Sequence, residues 1–153
     1  MWGAVEEFFL PLKPTTKGNH KSIVRGRGGR PMLIGSAAAR AAEAELVTLL
    51  LRHRPVTPLT GPVRLDVDFV LAVPKSFTEA ERAAAHAGRL LPIEEHNGDR
   101  GNYLKLLEDA LQKARFVVND AQICDGAVRK RFATAEDPRP GHLIRVSAIE
   151  ATA

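Results

Sequence analysis

The sequence predicts a small α+β domain in which a few mixed or antiparallel strands form one sheet that is packed by helices. Residues 63–73 carry an apolar side chain at every second position, which is typical of a strand with one buried face. Three other segments carry apolar residues at helical spacing, and no repeating strand–helix rhythm connects them. At 153 residues the chain fits one domain, residues 1–153, without internal repeats.

The first elements follow from local composition. We expect a strand over residues 5–10, ended by Pro11 and Pro14. Residues 15–30 are predicted to form a Gly-rich flexible loop, because their GRGGR core lacks the spacing of a nucleotide-binding fingerprint. A helix is expected over residues 36–53, where Ala and Leu recur at helical spacing, Ser36 is available as N-cap and Pro55 lies beyond the end.

The later elements follow in the same way. The strand at 63–73 carries Asp66 and Asp68 on its open face, where we expect solvated carboxylates rather than metal ligands. Ser76 to Glu79 has capping-box spacing before a helix at 79–87 that Gly88 ends. A short strand or turn at 116–118 and strands at 127–132 and 143–149 follow a third helix. Its predicted apolar stripe comprises Tyr103, Leu104, Leu107, Ala110, Leu111 and Ala114.

Positive charge is concentrated in two segments of a chain whose formal net charge is +4. A basic loop at 13–30 contains no acid, and a second cluster lies at 129–131. Such runs favour a polyanionic partner, while a solvated arm is the alternative for the first. The predicted DNA-binding residues are Lys13, Lys17, Lys21, Arg25, Arg27, Arg30, Arg129, Lys130 and Arg131.

Several classes of protein are disfavoured. The single cysteine, Cys124, excludes an intramolecular disulfide, and we expect it to be a small apolar strand residue in a reducing compartment. The histidines lack zinc-site spacing. No apolar run reaches the roughly 18 residues of a membrane span, and Glu6 and Glu7 lie where a signal peptide would be positive. We therefore expect a cytoplasmic protein without a membrane partner.

The segment from Asn97 to Ile123 carries the candidate chemistry. Asp99 precedes the third helix, Lys105 lies within it, and Asp120 follows the apolar run at 116–118. Carboxylates beside a lysine can hold Mg²⁺ against a phosphate, because this cation prefers oxygen ligands and binds through one or two carboxylates plus substrate phosphate. The ordinary alternatives are a helix cap at Asp99, an ion pair between Lys105 and Asp109, and a turn residue at Asp120.

Short segments along the chain also occur in a fixed order: PKS at 74–76, GD at 98–99, NYLK at 102–105, DAL at 109–111 and NDAQI at 119–123. In order and spacing they resemble the RusA-type Holliday junction resolvases. The resemblance covers about residues 74–131, with a weaker echo at 11–21. By position, Asp99, Asn102, Lys105 and Asp120 match the family's aspartate, asparagine, lysine and later aspartate.

The resemblance implies a homodimeric endodeoxyribonuclease, dependent on Mg²⁺ or Mn²⁺, of mixed α/β fold. Such enzymes act on branched DNA in recombination and repair, nick two opposing strands of a four-way junction, and are often carried by phages. It also implies three catalytic residues: Asp99 and Asp120 as metal ligands and Lys105 facing the scissile phosphate. We expect a water that one or two metal ions activate to hydrolyse the phosphodiester.

The sequence departs from the family pattern at Gly101, which stands where a second aspartate is expected. Either the metal has fewer protein ligands, or Glu95, Glu108 or Asp109 substitutes, or catalysis is lost. Two alternative functions stay open for this reason. One is a protein that keeps the fold and binds branched DNA without cutting it, and the other is a nuclease acting on other branched or flap substrates.

Overall fold

The computed structural model of the protein describes residues 6–16, 21–35 and 37–150, with only the main chain at 21–23 and 32–35. The helices are α1 (Ala37–Leu50), α2 (Glu79–His86) and α3 (Arg100–Lys113). Short 3-10 helices lie at Arg27–Gly29, Glu95–Asn97 and Asp120–Gln122. The strands are β1 (Glu6–Leu10), β2 (Lys21–Arg25), β3 (Pro31–Gly35), β4 (Val63–Leu71), β5 (Ile123–Asp125), β6 (Val128–Phe132) and β7 (Gly141–Ala148).

The main sheet is mixed and is organised around β4. One side of β4 pairs with the antiparallel β7, which in turn pairs with the antiparallel β1. The other side pairs in parallel with β5 at Val63 and with β6 from Val67 to Leu71. The predicted α+β class is confirmed. None of the described helices is long and apolar enough to cross a membrane.

The core lies between the helices and one face of β4. Val63, Leu65, Val67 and Phe69 are almost completely buried, so the predicted alternation is confirmed. Helix α3 buries a stripe against this face, although Leu104 is only partly buried and Leu106 is buried in its place. The buried members of the stripe are Tyr103, Leu106, Leu107, Ala110 and Leu111, followed by Ala114 beyond the helix end.

Gly126 lets the chain pass from β5 to β6 along the edge of β4. Its φ is +141°, and a Cβ at this position would lie 1.7 Å from the Leu65 carbonyl oxygen. A side chain is therefore excluded here. The β4–β5 pairing is also shifted in register between Val63 and Arg64. This pairing places β5, and with it the turn before β5, beside the start of β4.

Several local predictions were wrong. The flexible loop at 15–30 includes a strand, β2, which forms an antiparallel hairpin with β3. The cap of α2 is Thr78 with Glu81, two residues beyond the predicted position, and both hydrogen bonds of this capping box are present. Cys124 lies in a strand, β5, as predicted, and its side chain is exposed. Of the short strand or turn predicted at 116–118, the structure shows a single bridge between Val117 and Leu59 within a bent segment. Ser36 lies outside the described residues.

Candidate functional site

Asp99 is the N-cap of α3. Its Oδ1 accepts hydrogen bonds from the main-chain nitrogens of Gly101, at 2.7 Å, and Asn102, at 3.2 Å. A cap of this kind stabilises a helix by about 1 kcal/mol, because it satisfies main-chain donors that have no partner within the helix. The structure therefore gives Asp99 a structural role. Its assignment as a metal ligand stays a prediction.

Lys105 lies between two carboxylates. Its Nζ is 3.2 Å from Asp109 Oδ1, one helical turn onward, and 3.2 Å from Asp120 Oδ2. The hydrogen bonds that Lys105 donates to Asp120 and then to Asp109 raise the pKa of its ammonium group above the ordinary value. The two carboxylates thus converge on one cation. Because the Lys105 side chain is 51% exposed, this cluster is open to a substrate from solvent.

Asp120 is held by its own turn and by α3. It begins the 3-10 helix at 120–122, whose capping box joins Asn119 and Gln122. The Asp120 main-chain nitrogen donates to Gln112 Oε1 at 2.9 Å, which ties the turn to the exposed side of α3. These contacts fix the main chain of Asp120 beside Lys105. A carboxylate that extends from a fixed main chain suits a ligand or catalytic group, since such groups require defined geometry.

Glu108 lies beside this cluster on α3. Partial burial is the main cause that raises the pKa of its carboxyl group, and Lys105 opposes the rise. Glu108 also lines a hollow of about 260 Å³ together with Cys124 and Asp125. Since residues three or four apart share a helix face, Glu108 lies on the same side of α3 as Lys105.

Gly101 precedes Lys105 by one helical turn on this face. A Cβ added here would lie 3.0 Å from Asp99 Oδ1, so the Asp99 side chain would have to move slightly. Asp99 itself lies outside the Lys105 cluster, about 9 Å earlier along the helix at 1.5 Å per residue. Across the described residues, no three His, Cys, Asp or Glu side chains are gathered closely enough to hold a metal ion by themselves.

The family model for the endodeoxyribonuclease RusA matches residues 11–142. This chain belongs to the RusA endodeoxyribonuclease family. It is also similar to the uncharacterized protein YqaN of Bacillus subtilis strain 168, with 28% identity over 139 residues that cover 91% of this chain and 94% of that protein. The match includes the whole Lys105 cluster and the basic loop. Both features therefore lie within the matched part of the chain. RusA enzymes act on branched DNA.

The basic residues of β6 fall on two faces of this RusA-family sheet. Arg129 and Arg131 each donate from Nε to Asp68, at 3.1 and 2.9 Å. Lys130 points to the other side, where its Nζ donates to the Gly98 carbonyl at 2.7 Å. This division arises because neighbouring residues of a strand face opposite sides. The register with β4 then places Arg129 opposite Asp68. Asp68 is consequently an ion-pair partner rather than a solvated carboxylate.

Asp66 departs from its prediction in the same way. It accepts two hydrogen bonds from Arg64, at 2.9 and 3.0 Å, and one from the Ala127 main chain at 2.8 Å. The bond from Arg64 is the main cause that lowers the pKa of the Asp66 carboxyl group. The two aspartates on the open face of β4 therefore balance arginines. Neither of them joins the Lys105 cluster.

The basic loop of this RusA-family protein is largely exposed where it is described. Lys13, Arg25, Arg27 and Arg30 are solvent-exposed, and the last three surround the turn between β2 and β3. Lys17 lies outside the described residues, and only the main chain of Lys21 is described. The hairpin thus presents three exposed arginines around one turn. Their role in DNA binding stays a prediction.

Sequence reasoning missed the residues that support Asp120. Gln112 reaches its main chain from α3, and Gln122 donates from Nε2 to the Leu59 and Gly61 carbonyls, each at 2.9 Å. The spacing of Asn119 and Gln122 is that of a capping box, so this turn was detectable from sequence. The contact from Gln112 was not, because it depends on how α3 packs beside the turn.

Proposed function

We propose that this RusA-family protein is a Mg²⁺-dependent endodeoxyribonuclease that resolves four-way DNA junctions, with Lys105 and Asp120 at its catalytic centre. The observation that best supports this is the convergence of Asp109 and Asp120 on the Lys105 ammonium, each at 3.2 Å. Lys105 and Asp120 are also two of the positions that match the family pattern.

The residues present fit a magnesium ion. Mg²⁺ usually binds proteins through one or two carboxylates and takes its remaining ligands from water and substrate phosphate. Asp109 and Asp120 supply two such carboxylates. Asp109 Oδ1 and Asp120 Oδ2 each lie 3.2 Å from Lys105 Nζ, so these two oxygens are separated by at most twice that distance. We assign these two residues as the metal-holding pair. Asp99 is a further candidate on grounds of family position, and Mn²⁺ has the same ligand preference.

Lys105 is proposed to bind the scissile phosphate. Its raised pKa keeps the ammonium protonated, so it can donate to a phosphate oxygen as negative charge develops in the transition state. Gln112 and the 119–122 turn hold the main chain from which the Asp120 carboxylate extends. A bound magnesium ion would supply Lewis-acid activation of the phosphate and of the attacking water.

DNA binding is proposed to depend on contacts between basic side chains and phosphates, and paired cutting on the two-fold symmetry of a homodimer. Lys13, Arg25, Arg27 and Arg30 are exposed, whereas Arg129 and Arg131 share the Asp68 carboxylate. We therefore assign more of the phosphate binding to the hairpin than to β6, which refines the expectation from sequence. A homodimer would present two Lys105 clusters, and these would account for paired nicks in opposing strands.

The second candidate function is a branched-DNA-binding protein that does not cut. Gly101 favours it, because this position offers no carboxylate beside Lys105. The test is incubation of purified protein with a synthetic four-way junction, with and without Mg²⁺ or Mn²⁺. Metal-dependent nicking supports the nuclease, while tight binding without nicking in either metal supports the alternative.

A further inference from the structure

A tight turn before α3 presents two apolar side chains to solvent. Leu91 is 50% exposed and Ile93 is 83% exposed, whereas Pro92 between them is buried. The Ile93 main-chain nitrogen donates to the Leu91 carbonyl at 3.0 Å, which closes a three-residue turn. The proline ring also fixes φ at the centre of this turn. The two side chains are therefore held outward on a stiff support.

These side chains line a groove of about 630 Å³ whose other wall is basic. Arg100 and Lys130 line this wall together with Arg129 and Arg131, whose Nε atoms pair with Asp68 on the other face. None of the described lining residues is acidic. Arg100 Nη1 donates to the Val128 carbonyl at 3.1 Å, and Lys130 Nζ donates to the Gly98 carbonyl. Among the described residues, both cations contact carbonyl groups, and no ion pair with a carboxylate is seen for either of them. The groove thus combines an apolar side with two cations that have no acidic partner in the described part of the chain.

A second copy of the chain is a poor occupant for this groove. Among the described strands β6 pairs only with β4, and symmetric antiparallel pairing with its own copy about the strand centre, Lys130, would place Arg129 opposite Arg131 of the other chain. Like charges in directly opposed positions destabilise a sheet. Arg100 also occupies the Val128 carbonyl, one of the groups that such pairing would require. An anionic chain that carries apolar faces fits the groove better.

We propose that this groove binds nucleotides that are unstacked at a DNA branch point, with a base against Leu91 and Ile93 and its phosphates at Arg100 and Lys130. Leucine, isoleucine and proline are residues that proteins insert between base steps to unstack DNA. The Gly98 carbonyl that binds Lys130 directly precedes Asp99, so the groove adjoins the start of α3. The inference rests on the proposed function, since it takes branched DNA as the substrate.

The test uses a four-way junction that carries 2-aminopurine either at the branch point or within an arm. This base becomes more fluorescent when it is unstacked. Wild-type protein is titrated in EDTA and again with Ca²⁺, so that the junction is not cut, and binding is followed by anisotropy in the same samples. Fluorescence should rise for the branch-point probe and not for the arm probe.

Two variants locate this effect. Ile93→Ser and Leu91→Ser should abolish the rise, because they remove the apolar surface. Val56→Ser is the matched control: Val56 is fully exposed on another loop, and its loss should leave the rise intact. Arg100→Gln should lower the slope of log K against log salt by about 0.9, as expected for one lost phosphate contact, whereas the exposed Arg54→Gln should not.

The outcomes separate this inference from the proposed function. A rise that persists in Ile93→Ser overturns the groove proposal, and so does junction binding by wild-type protein without any rise. In both cases preferential junction binding leaves the resolvase proposal standing. If wild-type protein binds the junction no better than a linear duplex, the proposed function fails, and the groove proposal fails with it.

Discussion

Lys105 and Asp120 meet at 3.2 Å although fifteen residues separate them in the sequence. Asp109 contacts the same ammonium, so two carboxylates share one lysine and the group carries a net negative charge. Such a group attracts a divalent cation, and an arriving phosphate would compete for the lysine. A catalytic centre and an ordinary surface ion pair differ in how cleavage responds when one of these side chains is replaced.

Asp120→Asn should abolish cleavage while leaving junction affinity unchanged or higher. The substitution removes a metal ligand and one negative charge near the DNA, but an amide keeps the shape of the side chain. Cleavage and anisotropy measured on the same labelled junction check both parts. Asp137→Asn is the control, because Asp137 pairs with Arg139 away from the cluster. Cleavage by Asp120→Asn at the wild-type rate would remove Asp120 from the centre.

Gly101→Asp should tighten Mg²⁺ binding and raise cleavage at low metal concentration. The new carboxylate would lie one turn before Lys105, on the same helix face, and the Asp99 side chain would shift to admit it. Gly101→Ala is the matched control, since it also replaces glycine in the helix but adds no ligand. Metal affinity is measured by calorimetry.

Other results for Gly101→Asp are equally informative. Unchanged or reduced activity would indicate that Asp109 or Glu108 already fills this role and that a further carboxylate crowds the site. Cleavage that appears only in the variant would identify the wild-type protein as a binder lacking one ligand. If metal affinity does not change and the wild-type protein is also inactive, Asp99 is only a helix cap and the catalytic assignment fails.

Strong local patterns made part of this structure predictable. The alternation in β4 follows the two-residue period of a strand, and the apolar stripe of α3 follows the period of a helix. Each period repeats along most of its element. The hairpin at β2 and β3 was missed because the glycines at 26–29 suggested a flexible loop, although apolar residues flank them. The N-cap of α2 was predicted at Ser76 and lies at Thr78, because each of these residues has a glutamate three positions later, the spacing of a capping box.

The site was less predictable than the fold. Lys105, Asp109 and Asp120 were named from sequence, but their contact depends on the docking of the 120–122 turn against α3. The pairing of Arg129 and Arg131 with Asp68 depends on the parallel register of β4 and β6, which no local pattern indicates. Long-range register therefore decided which predicted cations remain available to DNA.

Replacing Lys17, Lys21, Arg25 and Arg27 with Ala should weaken binding to all forms of DNA. Each phosphate contact that is lost should reduce the slope of log K against log salt by about 0.9. Binding to duplex and junction is measured over a salt series, with Arg52→Ala and Arg54→Ala as exposed controls elsewhere. An unchanged slope would mean that the segment is a solvated arm.

The stability of the protein should fall below pH 6.5 because of His142. Burial lowers the pKa of His142 to about 4, so the folded state excludes a proton that the unfolded state accepts. The free energy of unfolding should decrease by about 3 kcal/mol between pH 6.5 and 4 from this group. Denaturant titrations of His142→Leu should lose this dependence, while the exposed His96→Gln should retain it. Equal pH profiles for all three proteins would contradict the assignment.

The central claim is that the Lys105 cluster cuts branched DNA with the help of a divalent metal. The most direct measurement is single-turnover cleavage of a synthetic four-way junction, with each strand labelled in turn, in Mg²⁺ and in EDTA. We predict nicks in two opposing strands in Mg²⁺, no products in EDTA, and no products with Lys105→Met in either buffer. Nicking that persists in EDTA, or an equal rate for Lys105→Met, would contradict it.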